Sequence, residues 1–141
     1  MMDNRAEPNP LAMLTEIISA FQRGYPAMAE PAASGIFVSG DVRLDARRRV
    51  VYRGDEPVRL SPREYDLFLL LARYDGAPVP KDLLMRVVWK DEVHPTSRTI
   101  SQHVLELRRK LERNRAQPEI ILTVNKFGYR LVGEWVGSES G

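Results

Sequence analysis

Between Thr96 and Asn114 the sequence places Arg98, Gln102, Glu106, Arg109 and Arg113 three or four residues apart, with Leu105 at the edge of the set. At about 100° per residue these side chains share one side of a helix. The opposite side carries Ile100, Val104, Leu107 and Leu111, a narrow apolar stripe that must face a core. Guanidinium forks, an amide, a carboxylate and an exposed leucine are groups that read base edges in a DNA major groove. Arg suits guanine O6 and N7, Gln suits adenine N6 and N7, Glu accepts from cytosine N4, and Leu suits a thymine methyl. Glu106 has a second reading, an ion pair with Arg109 or Arg113 on its own helix. Downstream, residues 119–124 and 129–132 read as strands joined through Asn125, Lys126, Phe127 and Gly128, a hairpin with a basic tip. Asn125 and Lys126 suit a minor groove, whose narrow stretches attract cations.

Charge supports the same chemistry. The 141-residue chain has a net charge of +2, but residues 96–130 hold eight basic side chains against three acidic ones. Residues 1–35 hold Arg5 and Arg23 against Asp3, Glu7, Glu16 and Glu30. A basic stripe on a near-neutral domain fits a polyanion partner, and it equally fits a solvated helix face. The composition, 43% hydrophobic and 28% charged, is that of one globular domain with a short extension. There is no cysteine, and His94 and His103 are isolated, which excludes disulfides, thiolate metal sites and a Cys nucleophile and leaves little for a zinc site. With no Gly-rich phosphate loop, H-E-x-x-H or nucleophile elbow, neither an enzyme nor a cofactor is expected. No apolar run approaches the roughly 18 to 20 residues a membrane span needs. Residues 1–10, with Asp3 and Glu7, lack the basic-then-apolar order of a secretory signal. A cytoplasmic, nucleoid-associated location is expected.

The elements that would position these groups are also readable. Residues 1–35 form an extension in which Asn9 and Pro10 start a short helix and Gly24 ends it. Leu11, Leu14, Ile17, Ile18 and Phe21 line one face of that helix, and a Pro- and Ala-rich linker follows. From residue 36 to residue 60 four short β-like runs, 36–38, 42–44, 50–52 and 58–60, alternate with turn signals, among them Gly54-Asp55-Glu56-Pro57. Ser61-Pro62-Arg63-Glu64 is a capping box opening a largely apolar helix that Asp75-Gly76 stops. A second helix covers residues 81–89, a loop covers 90–95, and the third helix covers 96–114. The expected fold class is α+β: a winged helix-turn-helix with a four-stranded antiparallel N-terminal sheet, three helices, a C-terminal hairpin wing and the N-terminal amphipathic helix. The domain spans residues 36–136, with a flexible tail at 137–141.

The residues Leu60-Ser61-Pro62-Arg63-Glu64-Tyr65-Asp66-Leu67-Phe68, Val88-Trp89, Ser97-Arg98-Thr99-Ile100, His103-Val104, Leu107 to Leu111, Thr123-Val124 and Gly128-Tyr129-Arg130-Leu131 resemble the DNA-binding domain of the OmpR/PhoB response regulators. The resemblance implies bacterial transcription regulation, with double-stranded DNA as partner. It places Arg98, His103 and Arg108 at phosphates, and Gln102, Leu105, Glu106 and Arg109 at bases; Arg108 lies nearer the apolar stripe, so a salt bridge inside the domain is its second reading, and a satisfied boundary histidine is that of His103. Thr99, Arg113, Asn125, Lys126 and Tyr129 complete the implied DNA-binding set. Lys90, Asp91, Glu92 and His94 correspond to a loop that in this family touches RNA polymerase, or else form a plain connection. Leu105 and Glu106 stand where many members have two arginines, and Asn125-Lys126 stand where they have Arg-Gly, so a different target sequence is expected. Members of the family carry a phosphoacceptor domain ahead of this module, whereas 35 residues precede it here, and control by phosphorylation in cis is not expected. The Leu11 to Phe21 face is then expected to be an association element, pairing two chains on DNA or seating a partner. A competing function is that of an adaptor to polymerase or another regulator, with incidental DNA affinity.

Overall fold

The computed structural model describes residues 35–90 and 96–136. The chain opens with β1 (Ile36–Ser39), β2 (Val42–Asp45), β3 (Val50–Arg53) and β4 (Glu56–Val58), paired antiparallel in chain order. The register sets Phe37, Leu44, Val51 and Val58 in one row across the sheet. The first three are buried and Val58 packs against them, as period-two alternation requires of a one-sided sheet. The fourth strand begins two residues earlier than its expected 58–60. Gly54, at φ +61°, and Asp55 alone make the turn, so Arg53 faces Glu56 across the hairpin. Pro57 is tolerated in β4 because that strand lies at the sheet edge.

Helix α1 (Pro62–Arg73) starts at the expected capping box: Glu64 N–H donates to Ser61 Oγ at 3.1 Å, and Ser61 N–H donates to the Glu64 carboxylate at 3.0 Å. It is buried around most of its circumference and packs on α2 (Lys81–Val88) and α3 (Ser97–Leu111). Strands β6 (Ile121–Val124) and β7 (Gly128–Leu131) form the wing hairpin, and β5 (Val79–Pro80), which precedes α2, pairs with β7. Gly128 belongs to β7, not to the turn as expected, because it pairs with Val124 on one side and Pro80 on the other; no side chain fits between them, since a Cβ would lie 1.8 Å from the Val79 carbonyl oxygen. The final strand, β8 (Glu134–Trp135), returns to pair with β1, so the N-terminal sheet has five strands in the order β4-β3-β2-β1-β8. Trp135 then donates its indole N–H to the Ala72 carbonyl at 3.0 Å, tying this sheet to the end of α1. Gly133 makes the crossing possible, since a Cβ there would sit 2.5 Å from the Val38 carbonyl oxygen.

Helix α3 stops at Leu111, short of the expected residue 114. Glu112 leaves the helix at φ −83°, ψ 146°, and its buried carboxylate accepts the backbone N–H groups of Glu119, Ile120 and Ile121 at 2.7 to 3.1 Å. That capture turns the chain out of α3 and into β6. No helix among the described residues is long and apolar enough to cross a membrane. The amphipathic helix with Leu11, Leu14, Ile17, Ile18 and Phe21, the loop residues Asp91, Glu92 and His94, and the tail at 137–141 lie outside the described residues.

Candidate nucleic-acid interface

Helix α3 is oriented by its apolar stripe: Ile100, Val104, Leu107 and Leu111 are each at most 1% exposed. Burying four such side chains holds the helix on α1 and α2 with about 1.5 to 3 kcal/mol apiece. The opposite side carries Arg98, Gln102, Leu105 and Arg109, all exposed. Leu105 keeps 59% of its surface, the largest value for a large apolar side chain among the described residues. Thr96 caps the helix, its hydroxyl accepting from Thr99 N–H at 3.4 Å, with Thr99 itself half-buried.

The remaining sequence-derived residues divide by what they touch. Arg109 donates from Nε at 2.9 Å, and from Nη2, to the same oxygen, Oε2, of Glu106. This hydrogen bond holds the Glu106 carboxyl below its usual range and raises the Arg109 guanidinium above its own, so both stay charged at neutral pH. His103 is half-buried; its ring lies edge-on to Trp89 at 5.0 Å, and Nδ1 sits 2.8 Å from the Thr99 carbonyl oxygen. Arg108 turns to the wing, donating from Nε and Nη2 to the Ile121 carbonyl at 3.1 and 2.8 Å and from Nη2 to Thr123 Oγ1 at 3.0 Å. Tyr129 is buried, with its hydroxyl 3.4 Å from Ser101 Oγ, a second tie between wing and helix. Arg113 is exposed but lies beyond the end of α3. Lys90, just after α2, is exposed.

At the wing tip Asn125, Lys126 and Phe127 form a three-residue turn, with Lys126 at φ +60°. Asn125 and Lys126 are exposed. Phe127 N–H donates to the Val124 carbonyl, its own carbonyl accepts from Lys81 N–H, and its side chain stays 43% exposed. Three further residues bear on the interface. Phe127 carries a local signal, an aromatic residue inside a turn. Lys110, one of the eight basic residues of 96–130, does not face solvent freely: its Nζ donates to the Glu64 carboxylate at 2.6 Å and the Arg59 carbonyl at 3.0 Å, fastening α3 to the start of α1. Glu112 carried no local signal, because its partners lie seven to nine residues further along the chain.

A helix with a polar outer side, strapped by Arg108, Ser101 and Tyr129 to a hairpin with an exposed basic tip, is the arrangement of a winged helix-turn-helix. Residues 55–131 match the family model described as "Transcriptional regulatory protein, C terminal". The sensory transduction protein RegX3 of Mycolicibacterium smegmatis is 32% identical over 121 residues, which is 86% of this chain and 53% of RegX3. That leaves 20 residues unmatched, fewer than the 35 that precede β1, so part of the N-terminal extension has a counterpart in RegX3. The chain thus spans about half the length of RegX3, and no more of the other curated relatives. Among solved structures, the DNA-binding domain of Klebsiella pneumoniae RstA in complex with the RstA box is 29% identical with a TM-score of 0.58. That match covers 67% of this chain and 95% of that one. The Thermotoga maritima response regulator DrrB, described as an OmpR/PhoB homolog, shares the fold at a TM-score of 0.65 and 24% identity, over 89% of this chain and 53% of its own. The chain belongs to the OmpR/PhoB-type family of transcriptional regulatory DNA-binding domains.

Proposed function

We propose that this chain regulates transcription in the cytoplasm by sequence-specific binding to double-stranded DNA, with α3 in the major groove and the β6–β7 tip at the minor groove. The observation that carries this reading is the orientation of α3. Burial of its apolar stripe leaves Arg98, Gln102, Leu105 and Arg109 as the surface beside the wing. Gln102, Leu105 and Arg109 face bases, Arg98 and His103 face phosphates, and Asn125 and Lys126 follow the minor groove. Arg108, already engaged with Ile121 and Thr123, serves mainly to hold the wing at its angle to α3.

The test is binding to genomic fragments followed by footprinting on the best site across a salt series. With Arg108 and Lys110 bonded inside the domain, about four to five phosphates remain to be neutralised by Arg98, Arg113, Lys126, Arg130 and their neighbours. Log K should therefore fall with log salt at a slope of about −4. A slope near zero on that site, or no preferred site at all, would remove the DNA reading.

A further inference from the structure

Arg109 is exposed and Glu106 half-buried, one turn apart, at a place where the sequence departs from the arginines common in its family. Salt bridges this open contribute little to folding, so the pair's effect belongs elsewhere. Its geometry is specific. Both donors that Arg109 gives to Glu106 come from one edge of the guanidinium, Nε and Nη2, and both converge on Oε2. An arginine has five N–H groups in a rigid fork. Engaging the Nε–Nη2 edge leaves the end of the fork, Nη1 with the second Nη2 proton, unengaged among the described residues. That end-on pair is the shape that grips guanine O6 and N7 together. Leu105, four residues before Arg109 and thus beside it on the helix, is 59% exposed. It can shield the ion pair from water once the helix is seated in a groove, where a pair in lower dielectric is stronger.

We propose that Glu106 is a positioning residue that fixes the Arg109 fork for one guanine, rather than a reader of cytosine in its own right. Its carboxylate also keeps Arg109 from serving as a general phosphate clamp, because a negative charge beside the fork repels the DNA backbone and occupies two of its donors. Discrimination is thereby gained at the expense of nonspecific affinity. This rests on the DNA reading above and adds the base class that the departing position selects.

The experiment is a base-substitution series on the footprinted site, measured for the unaltered chain, Glu106→Ala, Glu106→Gln, Arg109→Ala and the double variant, with thermal unfolding alongside. Glu106→Ala is expected to lower discrimination at one G·C pair about tenfold. It should raise affinity for unrelated DNA and steepen the salt slope by about one unit as Arg109 is freed to meet a phosphate. Glu106→Gln, which keeps one acceptor oxygen, should fall between. Arg109→Ala should lose discrimination at that same pair, the double variant should lose no more, and the unfolding midpoint should stay unchanged throughout. The assignment is overturned if Glu106→Ala relaxes a different base pair from Arg109→Ala, if the two losses add, or if Glu106→Ala leaves discrimination intact. An unaltered chain that binds DNA with no sequence preference overturns the DNA reading and this assignment with it.

Discussion

A neutral imidazole has one N–H to give, and in His103 the Thr99 carbonyl has claimed it. A carbonyl oxygen only accepts, so the Nδ1 that lies 2.8 Å from it carries the proton. Nε2 is then a bare acceptor, and a DNA phosphate offers it nothing but acceptors. His103 can therefore meet a phosphate directly only by releasing Thr99, or through a bridging water. We expect His103→Ala to weaken binding to every sequence several-fold alike in a titration at fixed salt, and His103→Gln, whose amide supplies two N–H donors, to bind as well as the unaltered chain. Unchanged affinity in His103→Ala would show that His103 only braces Trp89 and the first turn of α3.

The end of α3 is decided by a side chain, and its energetics can be measured. Glu112 satisfies three backbone N–H groups at the start of the wing, each of which would otherwise cost about 1 to 3 kcal/mol when buried without a partner. Glu112→Ala should therefore destabilise the domain by about 3 kcal/mol or more in urea unfolding. Glu112→Gln, with one acceptor oxygen, should recover only part of that loss. A loss below about 1 kcal/mol would mean that water replaces the carboxylate. The same junction marks how far the fold was legible in the sequence. The apolar stripe of α3 and the capping box of α1 could be read because periodicity and caps are local, written within one or two turns of chain. The two-residue strands β5 and β8 could not, since they exist only through their partners Tyr129, Gly128, Phe37 and Val38. The helix end at Leu111 and the inward turn of Lys110 are hidden for a related reason, while the place of Arg108 near the apolar stripe shows an internal bond as one of two readings but not its partner. Each is fixed by a group far along the chain: Glu64, Ile121 or the amides after Pro118. Of the candidate interface, the residues whose surroundings are solvent were the easiest to read, and those drawn into tertiary bonds were the hardest.

One α3 and one wing read a single half-site, and two half-sites on the same face of B-DNA lie about 10 to 10.5 base pairs apart. Specific occupancy then depends on whether a second copy, or a partner, is recruited beside the first. The spacing of Leu11, Leu14, Ile17, Ile18 and Phe21 within residues 1–35 predicts a short amphipathic helix. A helix of that length would be marginal on its own in water, so its apolar side would need a cover. If the cover is a second chain or a partner, the helix adds coupling energy between half-sites without touching either. We expect removal of residues 1–24 to leave the urea midpoint of the remainder and its affinity for a single half-site unchanged. Cooperative occupancy of a duplex carrying two half-sites should fall several-fold. Linking two binding events raises their combined affinity through effective concentration alone, so the loss should appear in the steepness of the titration before it appears in the affinity of either half. The opposite pattern, a lower unfolding midpoint with cooperativity retained, would assign the helix to the core of its own domain and leave pairing on DNA to surfaces of residues 36–136.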